Sequence, residues 1–200
     1  MGVIRHSVAM VRQGGSPVCW AACAMMILQH KRGQSLGFDH MGFHDPRLTS
    51  VTNVQYMTEV ESKLRSWGFT VKASDDISMG VASRQSEMNE NMGGVHATMR
   101  TVVRRTPTYT IADKIEVLLR RWGPVILFHH CGAFSYGPGV TTPTTGFHAV
   151  VITGIDTGRG GIFFNNPWGQ RDVPTTISSI ENAVRRWESS GSNPAFAYFP

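Results

Sequence analysis

Long hydrophobic runs are missing from this 200-residue chain. Runs such as Val125–Phe128 and Ala149–Ile152, and even the longer Val18–Leu28, fall far short of the roughly 20 residues a membrane span needs, which excludes a transmembrane helix. Charge is also sparse, at 16% of residues against a hydrophobic share of 41%, a balance that excludes a disordered chain and fits a folded one. The start, Met1-Gly2-Val3-Ile4-Arg5-His6-Ser7, lacks the apolar core of a signal peptide, and His6 stands where N-myristoylation expects Ser or Thr. The location expected from this is the cytoplasm, or another cell reached through a dedicated secretion system.

Cysteine is scarce too. Three thiols cannot all pair within one monomer, and their spacing gives no two-Cys metal knuckle. Free thiols in a reducing compartment follow, and neither a metal nor another cofactor is expected. The net charge of +5 gathers in doublets, Arg104-Arg105, Arg120-Arg121 and Arg185-Arg186, without interleaved aromatics. They read as solvated surface, so nucleic acid is not an expected partner. Repeats, low-complexity tracts and Pro/Ser linkers are absent as well, which leaves a single domain over residues 1–200.

Ser16-Pro17 ahead of good helix formers predicts a helix start, with Ser as N-cap and Pro at the first helical position. The run Val18–Lys31 is apolar nearly all round, so this helix should be buried, with Gly33 as its stop. A second helix is expected over Asn53–Trp67, where Val54, Met57, Val60, Leu64 and Trp67 recur at helical spacing, and a third over Ile111–Trp122. Residues 69 to about 107 carry no clear period. Val125–His129, Gly146–Gly154, Gly161–Asn165 and Ala195–Phe199 read as short strands, and Ile177–Glu188 as a last helix. The fold class expected is α+β: a helical lobe over about 1–122, with a buried central helix, against an antiparallel sheet lobe over about 123–200.

Cys19, in the first turn of the buried helix, meets unpaired N–H groups and a positive dipole end that favour a thiolate. His148 opens the apolar run Ala149-Val150-Val151-Ile152, and Asn166 follows on the next strand. A thiol, an imidazole and an amide in that order are what a thiol nucleophile needs: attack, proton transfer, and orientation of the ring. Gln13, six residues before Cys19, could stabilise an oxyanion. Asn165 is the rival to Asn166, but alternation along a strand puts it on the other face. Trp168 is expected to cover the His–Asn hydrogen bond, and Cys23 to be core. His129-His130-Cys131 read as surface or loop packing rather than a metal site. One conflict arises at the helix start, where a Ser16 cap would take the Cys19 N–H that an oxyanion needs.

These residues resemble the papain superfamily of cysteine proteases. Gln13 and Cys19-Trp20 resemble its oxyanion glutamine and Cys-Trp nucleophile, Gly146-Phe147-His148-Ala149-Val150 its histidine strand, and Asn166-Pro167-Trp168-Gly169 its Asn-Ser-Trp-Gly box. Cys19-Trp20-Ala21-Ala22 and Leu118–Val125 look closest to bacterial papain-like peptidases, which include effector proteases injected into hosts and peptidases that process double-glycine leaders. The resemblance implies Cys19 as nucleophile, His148 as general acid/base, Asn166 as orienter, Gln13 as oxyanion donor, and Trp20 and Trp168 as substrate-binding or supporting residues. The chain departs from the archetype in lacking the disulfide-forming Cys before the nucleophile. The implied function is a cysteine endopeptidase acting through a thioester, with a bacterial effector or toxin role. Its partners would be a protein or peptide substrate and a protein inhibitor or host activator. An acyltransferase of transglutaminase type on the same scaffold and a catalytically silent binding module are the alternatives.

Overall fold

In the computed structural model, residues 2–13, 18–33, 53–77, 79, 109–137, 140, 146–191 and 194–200 are described. Ser16 and Pro17, most of the 69–107 segment, His40, His44, His96 and part of the Gly132–Gly146 loop lie outside them.

The first helix, α1 (Cys19–Arg32), begins with Cys19 itself, after Val18 as N-cap, and among the described residues no side chain caps it. The start expected at Pro17 is thereby corrected. Ala21 and Ala22 N–H both donate to the Val18 carbonyl at 3.0 Å, which opens the helical ladder among the described residues. Gly33 ends the helix in the left-handed region at φ 65, its N–H donating to the Gln29 carbonyl. Trp20 through Leu28 are all buried, because other elements surround the helix and its sequence is apolar on every side.

Helix α2 (Asn53–Ser66) leads through Gly68 into β2 (Thr70–Lys72). Helix α3 (Ile111–Trp122) opens on a capping box: Thr110 Oγ1 accepts from Asp113 N–H, and the Asp113 carboxylate accepts from Thr110 N–H at 2.9 Å. Strands β3 (Val125–His130), β4 (Phe147–Asp156), β5 (Gly161–Asn166) and β6 (Gln170–Thr176) follow. Helix α4 (Ile177–Ser189), capped by Thr176, and β7 (Phe196–Tyr198) complete the order.

The sheet is antiparallel throughout in the order β2-β7-β3-β4-β5-β6, and β1 (Val3–Arg5) pairs with the far end of β4. Residues 154–156 of β4 pair with both β1 and β5. Since a strand has two edges, β1 must extend the edge that β3 occupies nearer the start of β4. Chain order therefore does not separate helices from strands near residue 122: β1 and β2 precede that point, and α4 follows it. The fold class is α+β, as the sequence pattern implied.

Strands β3 and β4 are buried almost end to end, which is why they read as continuous apolar runs rather than alternating ones. Trp187 of α4 packs against Phe128, His130 and Phe147. Alternation sends His129 and His148 to the opposite face. Trp187 is fully buried, and its Nε1–H donates to the Pro194 carbonyl at 2.9 Å. Among the described residues no helix is long and apolar enough to cross a membrane.

Candidate active site

The short strand-to-strand turn at the end of β5 fixes the amide partner of His148. Asn166 Oδ1 accepts from His148 Nε2–H at 2.8 Å and from Trp168 N–H at 3.2 Å, while Asn166 Nδ2 donates to Gln170 Oε1 at 2.5 Å. The Trp168 N–H can only donate, which identifies the amide atom facing His148 as the oxygen. His148 therefore carries its proton on Nε2 and presents Nδ1 as a lone pair. Asn165 faces the other way: its Nδ2 donates to the Val8 carbonyl and its Oδ1 accepts from Asp172 N–H. That pair of bonds ties the N-terminal segment to β5 and β5 to β6.

Trp168 lies flat on the His148 ring, centroids 4.1 Å apart at an interplanar angle of 25°. His148 and Asn166 are buried, so their hydrogen bond is shielded from competing water. Burial drives the His148 imidazole down to about 4, and the Asn166 hydrogen bond opposes that fall.

The Cys19 thiol sits against the start of the same strand. Burial pushes it up to about 11, and the backbone N–H groups of Ala149, Trp20 and Cys19 itself pull it back. Cys19 is the partly exposed thiol of the three, and this contact with water tempers the rise. Neither lone charge is favoured here: the thiolate and the imidazolium are each penalised by the dry surroundings. Moving a proton from Cys19 to His148 creates both charges together, and their attraction offsets part of the two penalties.

Gln13 is tied in through its backbone, its N–H donating to the Pro167 carbonyl at 3.0 Å. The segment before α1 and the Asn166–Gly169 turn are thus held side by side. The anticipated conflict at the helix start turns on Ser16, which lies outside the described residues; the N-cap itself is Val18. Trp20 is 1% exposed and stacks on Trp67 with centroids 5.5 Å apart. It supports the core from within. Cys23 is fully buried, and burial raises its thiol well above the ordinary value.

Two residues near the site, Gln170 and Tyr136, went unread in the sequence, and a third, His129, was misplaced. Gln170 holds Asn166, and its only signal was proximity to the Asn-Pro-Trp-Gly turn. Tyr136, buried, packs against His148 at 5.6 Å and Trp168 at 4.9 Å. His129, expected at the surface or in a loop, is fully buried and pairs directly across the sheet with His148. Cys131, expected with it, is buried too. Cover on both faces of β3 encloses His129, whereas His130 at the strand's end stays partly exposed and Cys131 lies just past it. Among the described residues no group of three or more His, Cys, Asp or Glu side chains is placed to hold a metal ion.

No family model matches this sequence, and no curated protein matches it. Among solved structures, the chain is similar to a Bacillus anthracis protein described as a candidate C39-like peptidase. The TM-score is 0.52 at 12% identity, with 100% of this chain and 98% of that one covered. At that identity the likeness is one of fold.

Proposed function

We propose that this protein is a cysteine endopeptidase in which Cys19 is the nucleophile, His148 the general acid/base and Asn166 the group that orients it. The observation that carries this reading is the Asn166 Oδ1 bond to His148 Nε2–H, made at the strand start where the Cys19 thiol docks. It leaves Nδ1 of the imidazole as the available base. Cys19 Sγ attacks the peptide carbonyl carbon as its proton passes to His148 Nδ1. The carbonyl oxygen becomes an oxyanion, for which the first-turn N–H of Cys19 and the Gln13 amide are the proposed donors. His148 then protonates the leaving amine, the C–N bond breaks, and a thioester remains on Cys19. Water, deprotonated by His148, attacks the thioester, and the proton returns to the departing sulfur.

Trp168 keeps the imidazole–amide bond dry, and Trp20 anchors the helix that carries the thiol. The fold shared with the C39-like structure is consistent with this assignment. Labelling with an epoxide-type cysteine-protease inactivator tests it, with the adduct mapped by peptide mass in the parent protein, Cys19→Ala and His148→Ala. One adduct on Cys19 that depends on His148 is expected. Equal, slow labelling of Cys19, Cys23 and Cys131 would overturn the reading.

A further inference from the structure

The proposed mechanism leaves one buried imidazole beside the reacting pair unused. The β3–β4 register sets His129 directly opposite His148, ring centroids 5.8 Å apart and nearly perpendicular at 85°. His129 is fully buried and stacks on Phe134 at 4.2 Å. Its Nδ1 lies 3.1 Å from the His130 carbonyl. A carbonyl can only accept, so the proton is on Nδ1 and Nε2 carries a lone pair. That Nε2 is enclosed and has no hydrogen-bond partner among the described residues. A leucine or phenylalanine would fill the same volume without stranding a polar atom, so a lone pair kept here against that cost calls for an explanation.

Resting on the assignment of His148 as acid/base, we infer that His129 is a positioning residue whose neutral, electron-rich ring favours the His148 imidazolium during proton transfer from Cys19. A neutral ring that keeps an unprotonated, electron-rich nitrogen lowers the energy of a cation forming beside it, where water cannot. His129 itself does not compete for the proton. Burial first, and the nearby His148 charge second, drive it down to about 3. Two imidazolium rings in contact would repel, so the proton has one destination. The titratable groups facing the pair are Cys19 from α1, Cys131 and Tyr136 from the segment after β3, and His130 beside His129 on β3. Asn166 and Trp168, from β5 and its turn, are neutral.

The test measures the rate of Cys19 alkylation by iodoacetamide from pH 5 to 10.5 in the full-length protein, His129→Phe, His129→Gln and His148→Ala. Phenylalanine keeps the stack on Phe134 without a lone pair, whereas glutamine restores an acceptor. The expected result is a near-neutral rate about tenfold lower in His129→Phe, the change that one pKa unit at His148 produces. His129→Gln should recover to within about threefold of the parent, a loss of half a pKa unit or less. Toward pH 10.5, where hydroxide begins to ionise a thiol held at about 11 without help from His148, the variants should converge. A general disturbance of the site would depress the alkaline limb as well, and that outcome overturns the inference, as does an unchanged His129→Phe profile. Equal losses in His129→Phe and His129→Gln also overturn it. If the parent's near-neutral reactivity survives His148→Ala, the acid/base assignment itself is wrong. Ring-nitrogen NMR of the parent gives an independent check. The inference requires His129 to show an Nδ1–H tautomer that does not titrate above pH 5, and an Nε2–H tautomer would sink it.

Discussion

Replacing Asn166 with alanine removes one side chain and releases three partners. The His148 Nε2–H loses its acceptor at 2.8 Å, the Trp168 N–H loses its own at 3.2 Å, and Gln170 Oε1 loses a donor. Trp168 and Gln170 are partly exposed, so water can replace most of what they lose. His148 is 3% exposed, and its donor is left dry at about 1–3 kcal/mol. With smaller contributions from the other two, the loss of folding stability should be about 2–4 kcal/mol. The stranded imidazole can escape the penalty by moving its proton to Nδ1, which removes the lone pair proposed to act as base. Holding the productive tautomer then costs the same 1–3 kcal/mol, which lowers kcat/KM, or Cys19 alkylation near neutral pH, by about 5- to 150-fold. Asn166→Asp keeps an acceptor and places a negative charge beside the ring, so it should retain most of the rate and raise the His148 pKa from about 4. Gln170 can rotate its amide to donate to the new carboxylate. Urea melts and mapped alkylation measure both effects. An Asn166→Ala protein as stable as the parent, with a rate within twofold, would refute this account of how the imidazole is held.

Three further outcomes follow from the packing. His148 and His129 have pKa values lowered by burial to about 4 and about 3 from 6.5, so between pH 6.5 and 4 the unfolded chain binds protons that the folded one refuses. Stability should therefore fall as pH drops through that window, with a slope of up to about 2.7 kcal/mol per pH unit for two groups, and urea midpoints unchanged from pH 7 to 4.5 would contradict it. Gly154→Ala would put a Cβ 2.5 Å from the Ile4 carbonyl oxygen, where β1 crosses the register shift in β4. Loss of about 1–3 kcal/mol, with faster amide exchange in residues 3–5 than elsewhere, is expected, and unchanged exchange there would count against it. Trp187→Ala empties the contact of α4 with Phe128 and Phe147 and removes the bond to Pro194. It should cost about 3–5 kcal/mol by thermal or chemical melt, and a loss below about 1 kcal/mol would mean that the cavity collapses.

The chain itself determined what depends on local pattern. Apolar content all round Val18–Lys31 marked a buried helix, Gly33 marked its end, and Ile111–Trp122 and the start of the last helix were read to the residue. The apolar strands β3, β4, β5 and β7 were placed to within one or two residues, because bounded apolar runs of that length are a local property. The order of Gln13, Cys19, His148 and Asn166, with strand alternation, was enough to prefer Asn166 to Asn165. Short elements whose stability comes from their neighbours were not legible. β1, β2 and the polar edge strand β6 form because β4, β7 and β5 offer them backbone partners, and Val3–Arg5 alone has no pattern to show it. The helix start at Cys19 instead of Pro17, the inward turn of Trp20 onto Trp67, and Gln170 behind Asn166 were likewise settled by tertiary packing. His129 is the clearest case. Its sequence neighbours suggested a loop, but cross-strand register and cover on both faces of the sheet decide its burial and bring it opposite His148. Register and burial are relations between distant segments, and no single stretch of sequence contains them.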